Sequence, residues 1–169
     1  TVPNCVTYDP CYGYELAVVV QDGLRRMYGE GERVFYYITL MNENYEQPAM
    51  PAGVEEGIKK GMYLLKDNGS KQVQLLGSGV ILREVEKAAQ ILAEEFNINA
   101  NVWSVTSFNE LTREGMACDE YNRLHPLDEQ RTPWVTEQLA QHEGIVVAAT
   151  DYMRSFSEQI RAYLPDSRP

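Results

Sequence analysis

Along the chain, short runs of β-branched and aromatic residues alternate with stretches whose apolar positions recur every three or four residues. Such alternation is the signature of an α/β fold, a mostly parallel sheet covered by helices. "NCVTY" (4–8) reads as a short strand ending at Asp9-Pro10. From Tyr12 to about Tyr28, the residues Tyr14, Ala17, Val18, Leu24 and Met27 fall at helical spacing, and Gly29 and Gly31 then break the pattern. "RVFYYITLM" (33–41) is rich in strand-favouring residues.

"QPAMPAG" (47–53) sets two prolines and a glycine close together, which ends regular structure and marks a domain boundary near residue 50. Beyond it, "GVEEGIKK" (53–60) is helical and "GMYLLK" (61–66) is a strand. Asn68-Gly69 is a strong hairpin signal, so "KQVQLLG" (71–77) is expected to return antiparallel to that strand. "ILREVEKAAQILAEEF" (81–96) is amphipathic, with Ile81, Val85, Ala88, Leu92 and Phe96 along one stripe. A strand over 100–108, a helix over 109–124 and a strand over 143–150 follow. Asp151 is a good N-cap for a last helix whose inner face carries Met153, Phe156, Ile160 and Tyr163. The chain has no internal repeat and no low-complexity tract.

Composition narrows the function classes. An apolar share of 44% suffices for a core, and no run approaches the roughly 18 apolar residues of a membrane span. A formal charge of −10 with scattered Lys and Arg argues against nucleic acid as a partner. Cys5, Cys11 and Cys118 contain no CxxC and read as reduced thiols of a cytoplasmic protein. His125 and His142 are the only histidines, and no ligand pair has the spacing of a structural metal site. The start, "TVPNC", lacks an initiator Met and a targeting pattern and reads as the interior of a longer protein.

Three places carry candidate chemistry. Gly77-Ser78-Gly79 lies between a strand and a helix, where phosphate loops occur. Position 82 is Leu rather than a third glycine, no GK[ST] follows, and the next strand ends without an acid for a ribose. A tight strand-to-helix turn is the plainer reading, with anion binding as the alternative. His125 stands in the polar connection "RLHPLDEQRTPW", where no orienting group is legible, and His142 reads as a helix-end surface residue. "LMNENYEQPAMPAG" (40–53) is the third. It would deliver Glu43, Tyr45 and Glu46 from a strand's carboxyl end, where open α/β sheets place ligands. Paired carboxylates there can divide into proton donor and acceptor.

The strings "YDPCYGYELAVVVQDGLRRMYG", "VFYYITLMNENYEQPAMPAGVEEGIKKGMYLLK", "VQLLGSG", "VWSVTSFNELTREG" and "TDYMRSFSEQIRAYLP" together resemble the homodimeric pyruvate dehydrogenase family, the thiamine-diphosphate-dependent first component of a bacterial multienzyme complex. "MNENY…P.MP.G" and "SVTSF.EL.R.G" are specific to this branch. The resemblance implies that 1–50 end a pyrimidine-binding domain. It implies that 51–169 form a transketolase C-terminal-like three-layer domain, truncated at its end, with a mostly parallel sheet and one antiparallel hairpin strand. It further implies pyruvate as substrate, thiamine diphosphate and magnesium as cofactors, and a lipoyl-bearing dihydrolipoamide acetyltransferase as partner. Glu43, Tyr45 and Glu46 match the family's active-site loop, and Tyr8 falls near a substrate-facing tyrosine. Where this chain has Glu46, enterobacterial relatives carry His, with a proposed part in proton and acetyl transfer. The Gly-Asp-Gly motif of the magnesium site does not occur in the chain, and the family's catalytic Glu lies upstream of Thr1. The chain alone is therefore expected neither to hold the cofactor nor to turn over pyruvate. A stand-alone assembly module, or a nucleotide-binding domain built on the 77–79 turn, are the other readings the residues allow.

Overall fold

The computed structural model describes residues 2–165. Strand β1 (Cys5–Tyr8) runs parallel to β2 (Phe35–Ile38) as a two-stranded sheet. Parallel neighbours need a crossover, and it is made by α1 (Gly13–Leu24) and one π-helical turn (Arg25–Gly29). Val6 and Tyr8 pack with Val19 of α1 and with Ile58. The strand expected over 33–41 contracts to four residues, and Phe35 and Tyr37 on its other face stay 47% and 61% exposed. The inner face of α1 also differs from the expected stripe: it buries Glu15, Val19, Asp22 and Gly23, while Leu24 is exposed.

A four-stranded sheet follows, built from β3 (Met62–Lys66), β4 (Val73–Gly77), β5 (Ala100–Val105) and β6 (Ile145–Ala149) in the order β3-β5-β4-β6. β4 is parallel to both β5 and β6, and β3 alone is antiparallel. The antiparallel strand is present, but the Asn68-Gly69 hairpin is not, because β5 lies between β3 and β4. The turn residues bond to the start of β5 instead. Asn68 N and Ser70 N donate to Asn101 Oδ1, Asn68 Nδ2 to the Ala100 carbonyl, and Ser70 Oγ to the Asn99 carbonyl. These bonds carry the chain across one whole strand.

Helices α2 (Glu55–Lys60), α3 (Ile81–Phe96), α4 (Phe108–Leu124), α5 (Trp134–Ala140) and α6 (Arg154–Glu158) complete the three layers. Successive strand residues face opposite sides. Leu75 and Val102 therefore pack with Leu82, Val85 and Ala89 of α3. Leu76 and Trp103 pack with Leu111 of α4, with Val135 and Leu139 of α5, and with Ile160 and Tyr163. The buried stripe of α3 is rotated from the expected one: Ala88 is exposed and Phe96 is 62% exposed, because Leu82 and Ala89 face the sheet. The last helix starts two residues later than expected, capped at Met153 rather than Asp151, and continues as a 3-10 turn (Arg161–Tyr163). Phe156, Ile160 and Tyr163 do pack inward, while Met153 is 76% exposed. Residues 166–169, the end of the final "LPDSRP" segment, lie outside the described residues.

What joins the two sheets is a buried carboxylate. Glu15 is 0% exposed. Its Oε2 accepts from the backbone N–H groups of Cys11 (2.6 Å) and Tyr12 (3.0 Å), and its Oε1 from Tyr63 Oη (2.7 Å) and Ser104 Oγ (2.6 Å). One acid thus caps α1 and ties it to β3 and β5. Burial raises its pKa, while the hydrogen bonds pull the other way.

Glu15→Ala strands four inward-pointing donors and is expected to cost at least about 3 kcal/mol in urea unfolding at neutral pH. Glu15→Gln should cost only about 1–2 kcal/mol, since the amide oxygen keeps one donor pair and hydroxyls can turn to accept. With the folded pKa raised, the native carboxyl favours the fold most below its unfolded value, about 4.3. That contribution fades as pH rises through the folded value, so the cost of Glu15→Gln should shrink over the same range. A cost that grows with pH contradicts the assignment.

Candidate active-site loop and the cleft beside it

After Ile38 the chain leaves the carboxyl end of β2 and runs without regular structure to the start of α2. From residue 40 to 53, among the described residues, no backbone group of this loop bonds to another backbone group. Side chains order it instead. Gln47 Oε1 accepts from the Gly13 N–H at 2.8 Å, and the Tyr45 hydroxyl donates to the Cys11 carbonyl. Arg83, in the first turn of α3, places Nη1 3.1 Å from Glu43 Oε2 and its guanidinium 4.4 Å from the Tyr45 ring centre. The structure therefore brings Glu43 and Tyr45 together on one cation.

Glu46 takes a different course. It is exposed, has no ion-pair partner among the described residues, and lines a cleft of about 690 Å³ between the loop, the outer face of α3 and the end of β3. Tyr12 donates its hydroxyl to Glu86 on the cleft wall, and Lys66 approaches the same carboxylate at 2.8 Å. Lys87, Gln90 and Asn68 add further polar groups. The lining offers donors and acceptors of both signs, with one uncommitted carboxylate at the rim. Such a surface can orient a polar substrate and exchange a proton with it.

Tyr8 is not part of this constellation. It is 4% exposed, its ring stacks on Tyr36, and its hydroxyl donates to the Lys59 carbonyl of α2. Burial raises its pKa far above that of a free phenol. The hydroxyl thus braces α2 against the first sheet, and the residue also lines a separate cavity of about 180 Å³ with Asp9, Tyr37 and Phe156.

The Gly77-Ser78-Gly79 turn has a ligand of its own. Ser78 Oγ lies 3.2 Å from Asp9 Oδ2, the Gly79 N–H donates to the Asp9 carbonyl, and Thr39 Oγ1 donates to Asp9 Oδ1. A Cβ on Gly79, whose φ is +52°, would sit 2.6 Å from the Asp9 carboxylate. An acid from the neighbouring sheet thus occupies the place an incoming anion would need, as the tight-turn reading requires. The carboxyl ends of β1, β2 and β4 converge on this one side chain. Burial raises the Asp9 pKa, with the two hydroxyl donors lowering it.

The remaining candidates are structural. His142 packs edge-on against Trp103, with Nδ1 3.3 Å from Asn101 Nδ2, deeper than a surface helix-end residue. His125 stacks on Tyr121 at the surface and faces Asp128 at 3.3 Å. Cys5, Cys11 and Cys118 are free, and burial pushes the Cys11 and Cys118 thiols up to about 12 and about 11. Neither is poised as a nucleophile. Reading the residues missed Arg83 and Glu15. Arg83 carried no signal, because a polar residue on an amphipathic helix reads as solvated. Glu15 sits three places after the N-cap Tyr12, a capping spacing, but spacing does not show burial.

No helix among the described residues is long and apolar enough to cross a membrane. Residues 1–48 match the pyruvate dehydrogenase E1 component middle domain, and residues 61–166 match the transketolase-like C-terminal domain. The chain is 56% identical to the pyruvate dehydrogenase E1 component of Pseudomonas aeruginosa over 98% of its own length and 19% of the relative's. The corresponding protein of Escherichia coli is 55% identical over the same shares. The chain thus spans about a fifth of the length of the curated relatives it matches. A crystal structure of a transketolase point variant from Pichia stipitis superposes with a TM-score of 0.57 at 16% identity, covering 89% of this chain and 18% of that one, which shows the shared fold. By its sheet order and by these matches, the chain belongs to the transketolase-like C-terminal domain family, in the form carried by pyruvate dehydrogenase E1 components.

Proposed function

We propose that this chain is part of a thiamine-diphosphate-dependent pyruvate dehydrogenase, a cytoplasmic homodimer that decarboxylates pyruvate and acetylates a lipoyl group on its dihydrolipoamide acetyltransferase partner. In this reading 1–50 close a pyrimidine-binding domain and 51–169 form the transketolase C-terminal-like domain. The observation that carries it is the 40–53 loop. It leaves a strand's carboxyl end, is ordered only by side chains, and holds Glu46 unpaired at the rim of a large polar cleft. The half-open first sheet adds support. Parallel strands are normally covered on both faces in sheets of several strands, yet β2 leaves Phe35 and Tyr37 uncovered.

Each residue has a part. Glu43, facing Arg83, is a fixed negative group beside the substrate, and Tyr45 orients the loop through its bond to Cys11. Glu46 exchanges protons with the substrate, at the position where enterobacterial relatives carry His. Tyr8 acts from beneath, as a brace. The cofactor would supply the electron sink for decarboxylation. The described residues do not by themselves fit magnesium and diphosphate: no three His, Cys, Asp or Glu side chains gather among them, and the 77–79 turn is closed by Asp9. The chain's own contribution therefore lies in positioning and proton handling.

In the full-length polypeptide, Glu46→Gln is expected to lower pyruvate turnover by about 10²-fold. Glu46→His should restore most of it and introduce an ionisation near pH ~6.5 into the rate profile. Turnover that ignores both substitutions contradicts the role of Glu46. For the isolated chain, calorimetry with thiamine diphosphate and magnesium should show no micromolar binding, and pyruvate should stay intact. Micromolar binding would overturn this division of labour.

A further inference from the structure

We propose that Arg83 is the positioning residue of the site loop, one guanidinium that fixes Glu43 and Tyr45 together and thereby sets where Glu46 stands in the cleft. This rests on the reading of the loop as part of the active site and deepens it. Fourteen consecutive positions, 40–53, lack backbone–backbone hydrogen bonds among the described residues, so the conformation of the loop depends on its side-chain ties. Two of those ties, from Tyr45 to the Cys11 carbonyl and from Gln47 to the Gly13 N–H, run to the start of α1. Arg83 makes the polar tie to α3.

The geometry suits a guanidinium and no other cation. An ion pair to a carboxylate that is 51% exposed contributes little by itself. The flat group can lie over an aromatic ring while its edge donates to a carboxylate, and the contacts at 4.4 Å and 3.1 Å show Arg83 doing both. A lysine has a point charge and cannot make both contacts with the same directionality. The base of the clamp is rigid, because Leu82 and Val85, on either side of Arg83, are 0% and 6% exposed against the sheet. Arg83 also lines the same cleft as Tyr45 and Glu46. A loop tied at one end to α1 and at the other to α3 cannot swing away from the cleft without breaking this contact.

The test compares Arg83→Gln and Arg83→Lys in the full-length polypeptide, reading cleavage after Glu43 and Glu46 by a glutamate-specific protease beside the kinetics of pyruvate consumption. Cleavage follows the population of the open loop. Arg83→Gln should raise cleavage after Glu46 about tenfold and lower kcat about tenfold, with KM for pyruvate within about twofold. Arg83→Lys should fall between it and the native protein. Glu43→Gln breaks the same pair from the exposed side and should raise cleavage after Glu46 alike, which keeps the test open if an Arg83 variant fails to fold. Unchanged cleavage in all three variants overturns the clamp. Raised cleavage with undiminished kcat, while Glu46→Gln is also fully active, overturns the active-site reading of the loop and the positioning role with it.

Discussion

The arrangement depends on one buried carboxylate. Glu15 has four donors on two oxygens, and those donors come from the two residues that lead into α1, from β3 and from β5. An ionised or ionisable group with no exposure is tolerated only when its hydrogen-bonding capacity is filled. The same bonds that satisfy the acid therefore force the βαβ unit and the four-stranded sheet into one register. Tyr14, whose hydroxyl lies 2.6 Å from that of Tyr63, extends the network by one more residue of α1. An apolar pair could glue the same surfaces, but it would not specify which donors must meet.

The loop follows from that lock. Cys11 donates its N–H to Glu15 while its carbonyl accepts from Tyr45, so a single peptide segment connects the keystone to the site loop. Asp9 acts in parallel at the carboxyl ends of the strands, where Thr39 and Ser78 reach it from β2 and β4. Arg83 then fastens the loop from the far side. The bonds from Ser78 to Asp9 and from Arg83 to Glu43 cross between the two sheet units, while Tyr45 and Thr39 tie the first unit to its own loop. The cleft thus sits at a seam, and its shape records how the two units are set against each other.

Much of the fold was legible in the residues, and the failures have a common cause. The alternation of strand and helix patterns located every strand, and the branch-specific strings located the loop. Asn68-Gly69 misled because a local turn preference yielded to non-local acceptors on β5, chiefly Asn101 Oδ1. The stripe of α3 was misjudged by about one position, since Leu82 and Ala89 face the sheet, and that of α1 because acids were assumed to face water. Glu15 and Asp22 are buried by partners far away in sequence, Tyr63, Ser104 and Tyr36 among them. Tyr8 could be placed at a strand end from the sequence, but its hydroxyl's partner, the Lys59 carbonyl of α2, could not. Glu43, Tyr45 and Glu46 could be named from the sequence, whereas the cation that gathers two of them could not.

Native-state hydrogen exchange tests the lock most directly. If Glu15 makes the two sheet units one cooperative body, the amides of Val6 and Tyr8 in β1 and those of Val102 and Ser104 in β5 should share one opening free energy and the same dependence on denaturant. Exchange of the β1 amides through a separate opening of lower free energy, with β5 still protected, would contradict it.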